Sequence, residues 1–216
     1  MQVESCVFTE ITDLVFSSGM FTNGVIAKDI SLSDEQVAEL ALRYAAMYVQ
    51  KGLQIAEIID TQYTGSNVSS WEIGCGFGLP SLFLTKLPNF DVHAFDVRQV
   101  FLLYGLELSK IIGQRSFYQH HHFYEWKHEW NPRNSLTNLL IADQLLSEDK
   151  ESSFECNVVR FAVHKRTDLA IIPYIADADM NHRTQIYRKM LLEGGYHLEE
   201  YEIKGLTLQR MILAKL

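Results

Sequence analysis

The sequence predicts an α/β domain built on a mostly parallel β-sheet, and three observations carry that expectation. An apolar stretch through Ser70-Trp71-Glu72-Ile73 ends beside an acid and runs into glycines at alternate positions, Gly74, Gly76 and Gly78. A helix-like apolar run (Leu79, Leu82, Phe83, Leu84) follows at once, as where a strand turns tightly into a helix. A second apolar stretch, Phe90 to Val97, then closes on another acid, Asp96. Strand, glycine loop, helix, strand and terminal acid together form a βαβ nucleotide-binding unit, in which the second acid hydrogen-bonds ribose hydroxyls.

The glycines let the backbone enter φ > 0 and let a ligand lie against bare main chain. Glu72, at the strand end, is an acceptor suited to a cationic or hydroxyl-bearing ligand. Glu72-Ile73-Gly74-Cys75-Gly76-Phe77-Gly78 resembles the E/D-x-G-x-G-x-G first motif of the class I S-adenosylmethionine (SAM)-dependent methyltransferases, and Asp96 is similar to the acid after their second strand. Dinucleotide dehydrogenases carry two residues before the last glycine, where this chain has one. The resemblance implies a Rossmann-like sheet in the order 3-2-1-4-5-7-6 with the last strand antiparallel. It also implies a division into an N-terminal helical cap, residues 1–66, and a SAM-binding domain, residues 67–216. Glu72, Gly74, Cys75, Gly76, Gly78, Asp96 and Val97 are the cofactor-binding residues it implies at the first two strand ends.

Before that loop, Ile11 to Phe16 reads as a short helix, with Ser17-Ser18-Gly19 and Thr22-Asn23-Gly24 as turns. Ser33-Asp34-Glu35-Gln36 is a capping box that opens a helix. Val37, Ala41, Tyr44, Tyr48, Ile55 and Ile59 form one apolar face, extending it to about Ile59 with Gly52 as the place for a kink. Tyr44 and Tyr48, one turn apart, are candidate substrate contacts. Packing the helix on the domain, with hydroxyls at the rim, is the alternative for both.

After Asp96, Arg98 to Ile112 is helical, with Gly113 as the residue that ends it. Ser116 to His121 is the third strand. Phe123 to Trp130 is dense in aromatics and acids, and the family has an adenine-binding acid and aromatic after this strand. Glu125 with Trp126 is the preferred pair, Glu129 with Trp130 the competing one. His120-His121-His122 with His128 does not make a metal site, because adjacent strand residues point to opposite faces and no suitable ligand joins them except Glu125. A single histidine of the run, represented by His121, is a candidate base.

Leu136 to Gln144 is the fourth strand, and Asp143 at its end is a candidate base, substrate ligand or cofactor contact, or else a helix cap. Ser152 with Glu155 opens a helix to about Lys165. Asp168 to Ile175 is the fifth strand, with Pro173 placed where the strand leaves the sheet. Tyr174 is then a candidate catalytic or substrate contact over the site. Asp177 and Asp179 cap a helix ending at Gly194-Gly195, and Tyr196 to Lys204 and Leu206 to Leu216 are the closing pair of strands.

The 216 residues suffice for one α/β domain with a modest extra element. A net charge of −8 without a basic run disfavours a nucleic-acid-binding face. Three widely spaced cysteines, Cys6, Cys75 and Cys156, fit a reducing cytoplasm rather than a disulfide framework. No apolar run reaches the length of a membrane span. The sequence carries no signal of oligomeric state.

The resemblance implies methyl transfer from SAM, first to a small-molecule acceptor. A protein side chain such as lysine is the alternative, because Gly78-Leu79-Pro80-Ser81 is similar to the pattern of the seven-stranded lysine methyltransferases. Two further classes share the fold: an enzyme that cyclises or eliminates the aminobutyl arm of SAM and releases methylthioadenosine, and a non-catalytic partner subunit.

Overall fold

Alternate apolar and amphipathic segments give a seven-stranded sheet in the order β3-β2-β1-β4-β5-β7-β6 in the computed structural model. It describes residues 4–22, 32–63, 68–96, 98–113, 118–120, 139–142, 163, 169–175, 178–204 and 209–216. The strands are β1 (Val68–Ile73), β2 (Phe90–Asp96), β3 (Tyr118–His120), β4 (Leu139–Ile141), β5 (Leu169–Ile175), β6 (His197–Glu202) and β7 (Gln209–Lys215). β1 to β5 pair in parallel, whereas β7 runs antiparallel between β5 and β6. The helices among the described residues include α1 (Ser5–Ser17), α2 (Asp34–Gln62), α3 (Leu79–Leu84), α4 (Gln99–Ile112) and α5 (Ala178–Glu193).

α2 begins as its residues dictate. Ser33 Oγ accepts the Gln36 N–H at 3.3 Å and Gln36 Oε1 accepts the Ser33 N–H at 2.8 Å, so two orphan donors of the first turn are satisfied reciprocally. The helix then runs unbroken for 29 residues, through Gly52. Its buried stripe is made largely of small residues, Ala41, Ala45, Gly52 and Ala56, interleaved with Val49, Ile55 and Ile59. That stripe lets neighbouring backbones come close. α2 packs on α1 and α3, and α1 also reaches α4. One hydrophobic cluster joins Ile11 and Val15 of α1, Val49 and Ile59 of α2, Leu79 and Phe83 of α3 and Met211 and Leu213 of β7.

Gln54 ties α2 to the end of β6. Its side-chain amide donates to the Lys204 carbonyl and accepts the Lys204 N–H, both at 2.9 Å, a side chain standing in for a strand partner. At the other end of the sheet, Tyr63 meets the Phe90 ring edge-on. α4 ends at Gly113, whose φ of 75° supplies the left-handed residue that closes the helix.

α1 is longer than the stretch Ile11 to Phe16, and of the third and fourth strands Tyr118–His120 and Leu139–Ile141 lie among the described residues. Pro173 pairs with Met211 of β7, while the pairing of β5 with β4 ends at Ile171 among the described residues. The helix expected from Ser152 to Lys165 lies outside the described residues except at Val163, which is helical.

Candidate functional site

The loop between β1 and α3 holds three consecutive alternate glycines in the left-handed region, Gly74 at φ 67°, Gly76 at 55° and Gly78 at 65°. Side chains at such angles are strained, which explains glycine here. Gly78 caps α3 without a side chain, and Pro80 in the first turn has no N–H to satisfy. The Ser81 N–H of that turn donates to Glu72 Oε2 at 3.0 Å. Glu72, fully buried at the end of β1, thus acts across the loop as a remote cap for α3.

Three of the loop's N–H donors are used inside the protein. The Cys75 N–H donates to the Phe95 carbonyl at 3.0 Å and the Gly78 N–H to the Cys75 carbonyl at 2.8 Å. The Gly76 N–H donates to Asp96 Oδ2 at 2.8 Å. Asp96, buried at the end of β2, takes its second bond at Oδ1 from the Arg98 N–H at 2.7 Å. Arg98 Nε stands 3.6 Å from the same oxygen, and its guanidinium lies over the Phe101 ring. Each carboxylate oxygen can accept a further bond, so Asp96 keeps acceptor capacity toward a ligand.

Two buried carboxylates therefore flank the loop. Their field is visible at Cys75, whose thiol is pushed well up, first by burial and then by Glu72 and Asp96. A phosphate cradle presents free N–H groups in a positive field. This loop has the reverse character. It offers bare backbone in a negative field, suited to a ligand with a cationic end and hydroxyls.

Phe77 fixes the loop from below. Fully buried, it meets Tyr48 of α2 edge-on at 6.0 Å and Phe101 and Tyr104 of α4 at 5.1 and 5.8 Å between ring centres. Tyr48 also reaches Gly76, where a Cβ would stand 3.4 Å from its hydroxyl. Tyr44, one turn earlier, is partly exposed and stacks on Phe21 at 6.1 Å instead.

Glu72, Gly74, Cys75, Gly76, Gly78 and Asp96 thus come together at the ends of β1 and β2. His120 ends β3 in register with Asp96, and Tyr174 lies in β5 opposite Arg210. Val97, His121, Glu125, Trp126 and Asp143 lie outside the described residues, as do Glu129 and Trp130. Among the described residues no cluster of His, Cys, Asp and Glu could hold a metal ion, and no helix is long and apolar enough to cross a membrane. A separate groove of about 620 Å³ between α2 and the end of β6 is lined by Gln54, Glu57, Tyr201 and Lys204, among others, and by none of the candidate residues. Sequence reasoning missed Phe77 and Arg98. The signal at Phe77 was an aromatic among glycines, where a solvent-facing loop has no use for one.

No protein-family model matches the sequence, and no curated protein does. Solved structures do match. Magnesium protoporphyrin IX methyltransferase from Synechocystis PCC 6803, with bound S-adenosylhomocysteine (SAH), aligns with a TM-score of 0.62 at 12% identity, over 97% of this chain and 99% of that one. The chain has the class I methyltransferase fold. The methyltransferase domain of bacterial CtHen1-C gives a TM-score of 0.60 at 14% identity, covering 79% of this chain and 98% of that one. Precorrin-6y C5,15-methyltransferase from Geobacter metallireducens GS-15 gives 0.54 at 16%, over 75% and 88%. In a methyltransferase fold, as in open α/β sheets generally, the ligand edge is the carboxyl end of the strands. Glu72, the glycine loop and Asp96 all occupy that edge.

Proposed function

We propose that this chain is a SAM-dependent methyltransferase acting on a small-molecule acceptor. The observation that carries the reading is the glycine loop held between buried Glu72 and Asp96, with the N–H groups of Cys75, Gly76 and Gly78 spent within the protein and two carboxylates beside it. SAM carries a sulfonium, an ammonium and a ribose diol but no phosphate, so it suits this loop where a dinucleotide does not. Asp96 would accept from the ribose hydroxyls, with Val97 beside it. The bare backbone from Gly74 through Cys75 and Gly76 to Gly78 would lie along the amino-acid end. Glu72 would hold the loop and supply negative charge behind it. Glu125 and Trp126 are assigned to the adenine by the resemblance in sequence.

When bound, SAM supplies an electrophilic methyl on its sulfonium. The chain's own residues then align the acceptor, exclude water and hold or take its proton. Asp143, His121 and Tyr174 are the candidates for the proton, and Tyr44, Tyr48 and Tyr174 for the acceptor's walls. Two of the structural neighbours are named for small acceptors, magnesium protoporphyrin IX and precorrin-6y, which supports this class.

Calorimetry with SAM and SAH tests the cofactor. Gly76→Val and Asp96→Ala are each expected to weaken binding at least about tenfold, the scale of a lost charge-assisted hydrogen bond or a strained left-handed residue, with far-UV circular dichroism unchanged. Unchanged affinity in both variants would sink the assignment. Methyl-labelled SAM incubated with cell lysate then tests the acceptor. Label in the small-molecule fraction is expected. Label in protein bands would favour side-chain methylation, which the run Gly78-Leu79-Pro80-Ser81 also suits. Methylthioadenosine released without any acceptor would instead mean attack on the aminobutyl arm.

A further inference from the structure

A glycine in the middle of a long helix is less favourable there than an alanine. In α2 that glycine is Gly52, and its surroundings show what the missing side chain permits. A Cβ on Gly52 would stand 2.5 Å from Leu79 Cβ, 3.2 Å from the Leu79 carbonyl carbon and 3.3 Å from the Pro80 nitrogen. These atoms belong to the first turn of α3, directly after the glycine loop. None is the free end of a flexible side chain, so no change of rotamer would make room. Adding one methyl would force α2 and the start of α3 apart.

One turn earlier on α2, Tyr48 lies on the same face as Gly52. Its ring meets Phe77, and its hydroxyl stands 3.4 Å from the place of a Gly76 Cβ. The loop is thus held at two points by a single helix, at Leu79 and Pro80 through Gly52 and at Gly76 and Phe77 through Tyr48. Three glycines with positive φ leave the loop many conformations of its own. Contacts with α2 and α4 select one of them.

From this we propose that α2 is a fixed wall of the cofactor cleft rather than a lid. Gly52 is its positioning residue: it seats α2 on α3, and the seat holds the Tyr48 hydroxyl beside Gly76, where it contacts the cofactor. The inference rests on the SAM reading above, and it moves Tyr48 from the acceptor's wall to the cofactor's. Its content is that preorganisation of the loop, and with it cofactor affinity, depends on a contact between helices.

Three variants test it, each titrated with SAH at a temperature where circular dichroism shows it folded. Gly52→Ala is expected to bind roughly tenfold more weakly, the scale on which overpacking displaces a backbone. Tyr48→Phe keeps the ring contacts and loses only the hydroxyl, so an affinity loss of about three- to tenfold with little change in Tm is expected. Ile59→Ala removes buried apolar surface from the same helix two turns further on, and should lower Tm while leaving the SAH Kd near that of the wild type. Rescue is not expected from added stabilising osmolyte, which would restore Tm but not Kd. If Gly52→Ala lowers Tm without moving Kd, or if Ile59→Ala moves Kd as much, α2 merely stabilises the fold and the proposal fails. If Gly52→Ala does not fold, Tyr48→Phe decides alone, and wild-type affinity in it overturns the contact. A wild-type protein that binds no SAH overturns the cofactor reading itself, and the wall with it; binding by the wild type with no effect in either variant overturns only the wall.

Discussion

Cys75 sits in the middle of the glycine loop, and its environment makes a prediction of its own. Burial and the two carboxylates hold its thiol in the protonated state, which is a poor nucleophile. Cys6, on α1, is exposed. Iodoacetamide applied to the native protein at mildly alkaline pH should therefore modify Cys6 and leave Cys75 intact, as read by peptide mass spectrometry. Rapid modification of Cys75 would mean that the loop opens, or that the field around it is weaker than the geometry implies. At this scale the sequence was most informative where chemistry is local. Three alternate glycines and two strand-ending acids announced the loop, because positive φ and a terminal acceptor are properties of single positions. The parts played by Phe77 and Arg98 were not legible. Both depend on partners brought together by the fold: Phe77 on rings from α2 and α4, Arg98 on an Asp96 carboxylate that points back toward it.

Among the elements, α2 gives the clearest contrast between what is written locally and what is not. Its capping box could be read from Ser33 and Gln36 alone, since both bonds close within one turn. Ser33→Ala should cost about 1 kcal/mol, seen as a lower denaturant midpoint at unchanged m. The part played by Gly52 was not legible, for the opposite reason. A glycine inside a helical pattern suggests a break, and only the approach of Leu79, distant in sequence, shows that it is a seat. The β6–β7 ribbon adds a pH dependence. Lys215 Nζ donates to Glu199 Oε1 at 2.8 Å and Tyr201 Oη to Glu199 Oε2 at 2.6 Å. Lys215 first, then Tyr201, holds the Glu199 carboxyl below its ordinary value, and the same bond to Glu199 pushes the Tyr201 phenol up. A depressed carboxyl stabilises the fold above the ordinary carboxylate range and loses that contribution as pH falls through its folded value. The stability gap between the wild type and Glu199→Gln should accordingly be widest at neutral pH and close in acid, measured as denaturant midpoints across a pH series. A gap independent of pH would show that the carboxylate's charge is not what holds the ribbon.

On the scale of the whole molecule, the helices before β1 and the sheet share one apolar cluster, from Ile11 and Ile59 to Leu139 and Leu213. Unfolding should then be a single event. Far-UV circular dichroism, which follows mainly the helices, and the fluorescence of tryptophan, including Trp71 buried in β1, should trace coincident denaturation curves. Ile59→Ala should shift both together, by about 2–5 kcal/mol. Separate transitions would mean that α1 and α2 melt apart from the sheet.

The position of β7 bears on how the chain is made. It is the seventh strand in sequence yet lies inside the sheet, with β5 on one side and β6 on the other, and Met211 to Ala214 are buried. A growing chain makes β5, which ends at Ile175, well before β7, which begins at Gln209, and β6 only shortly before it. Until Met211 to Ala214 emerge, β5 and β6 keep open edges of unpaired N–H and C=O groups, the kind of edge that recruits other chains. A chain halted between β6 and β7 has its sheet open beyond β5, and that open edge is a place where another chain can pair.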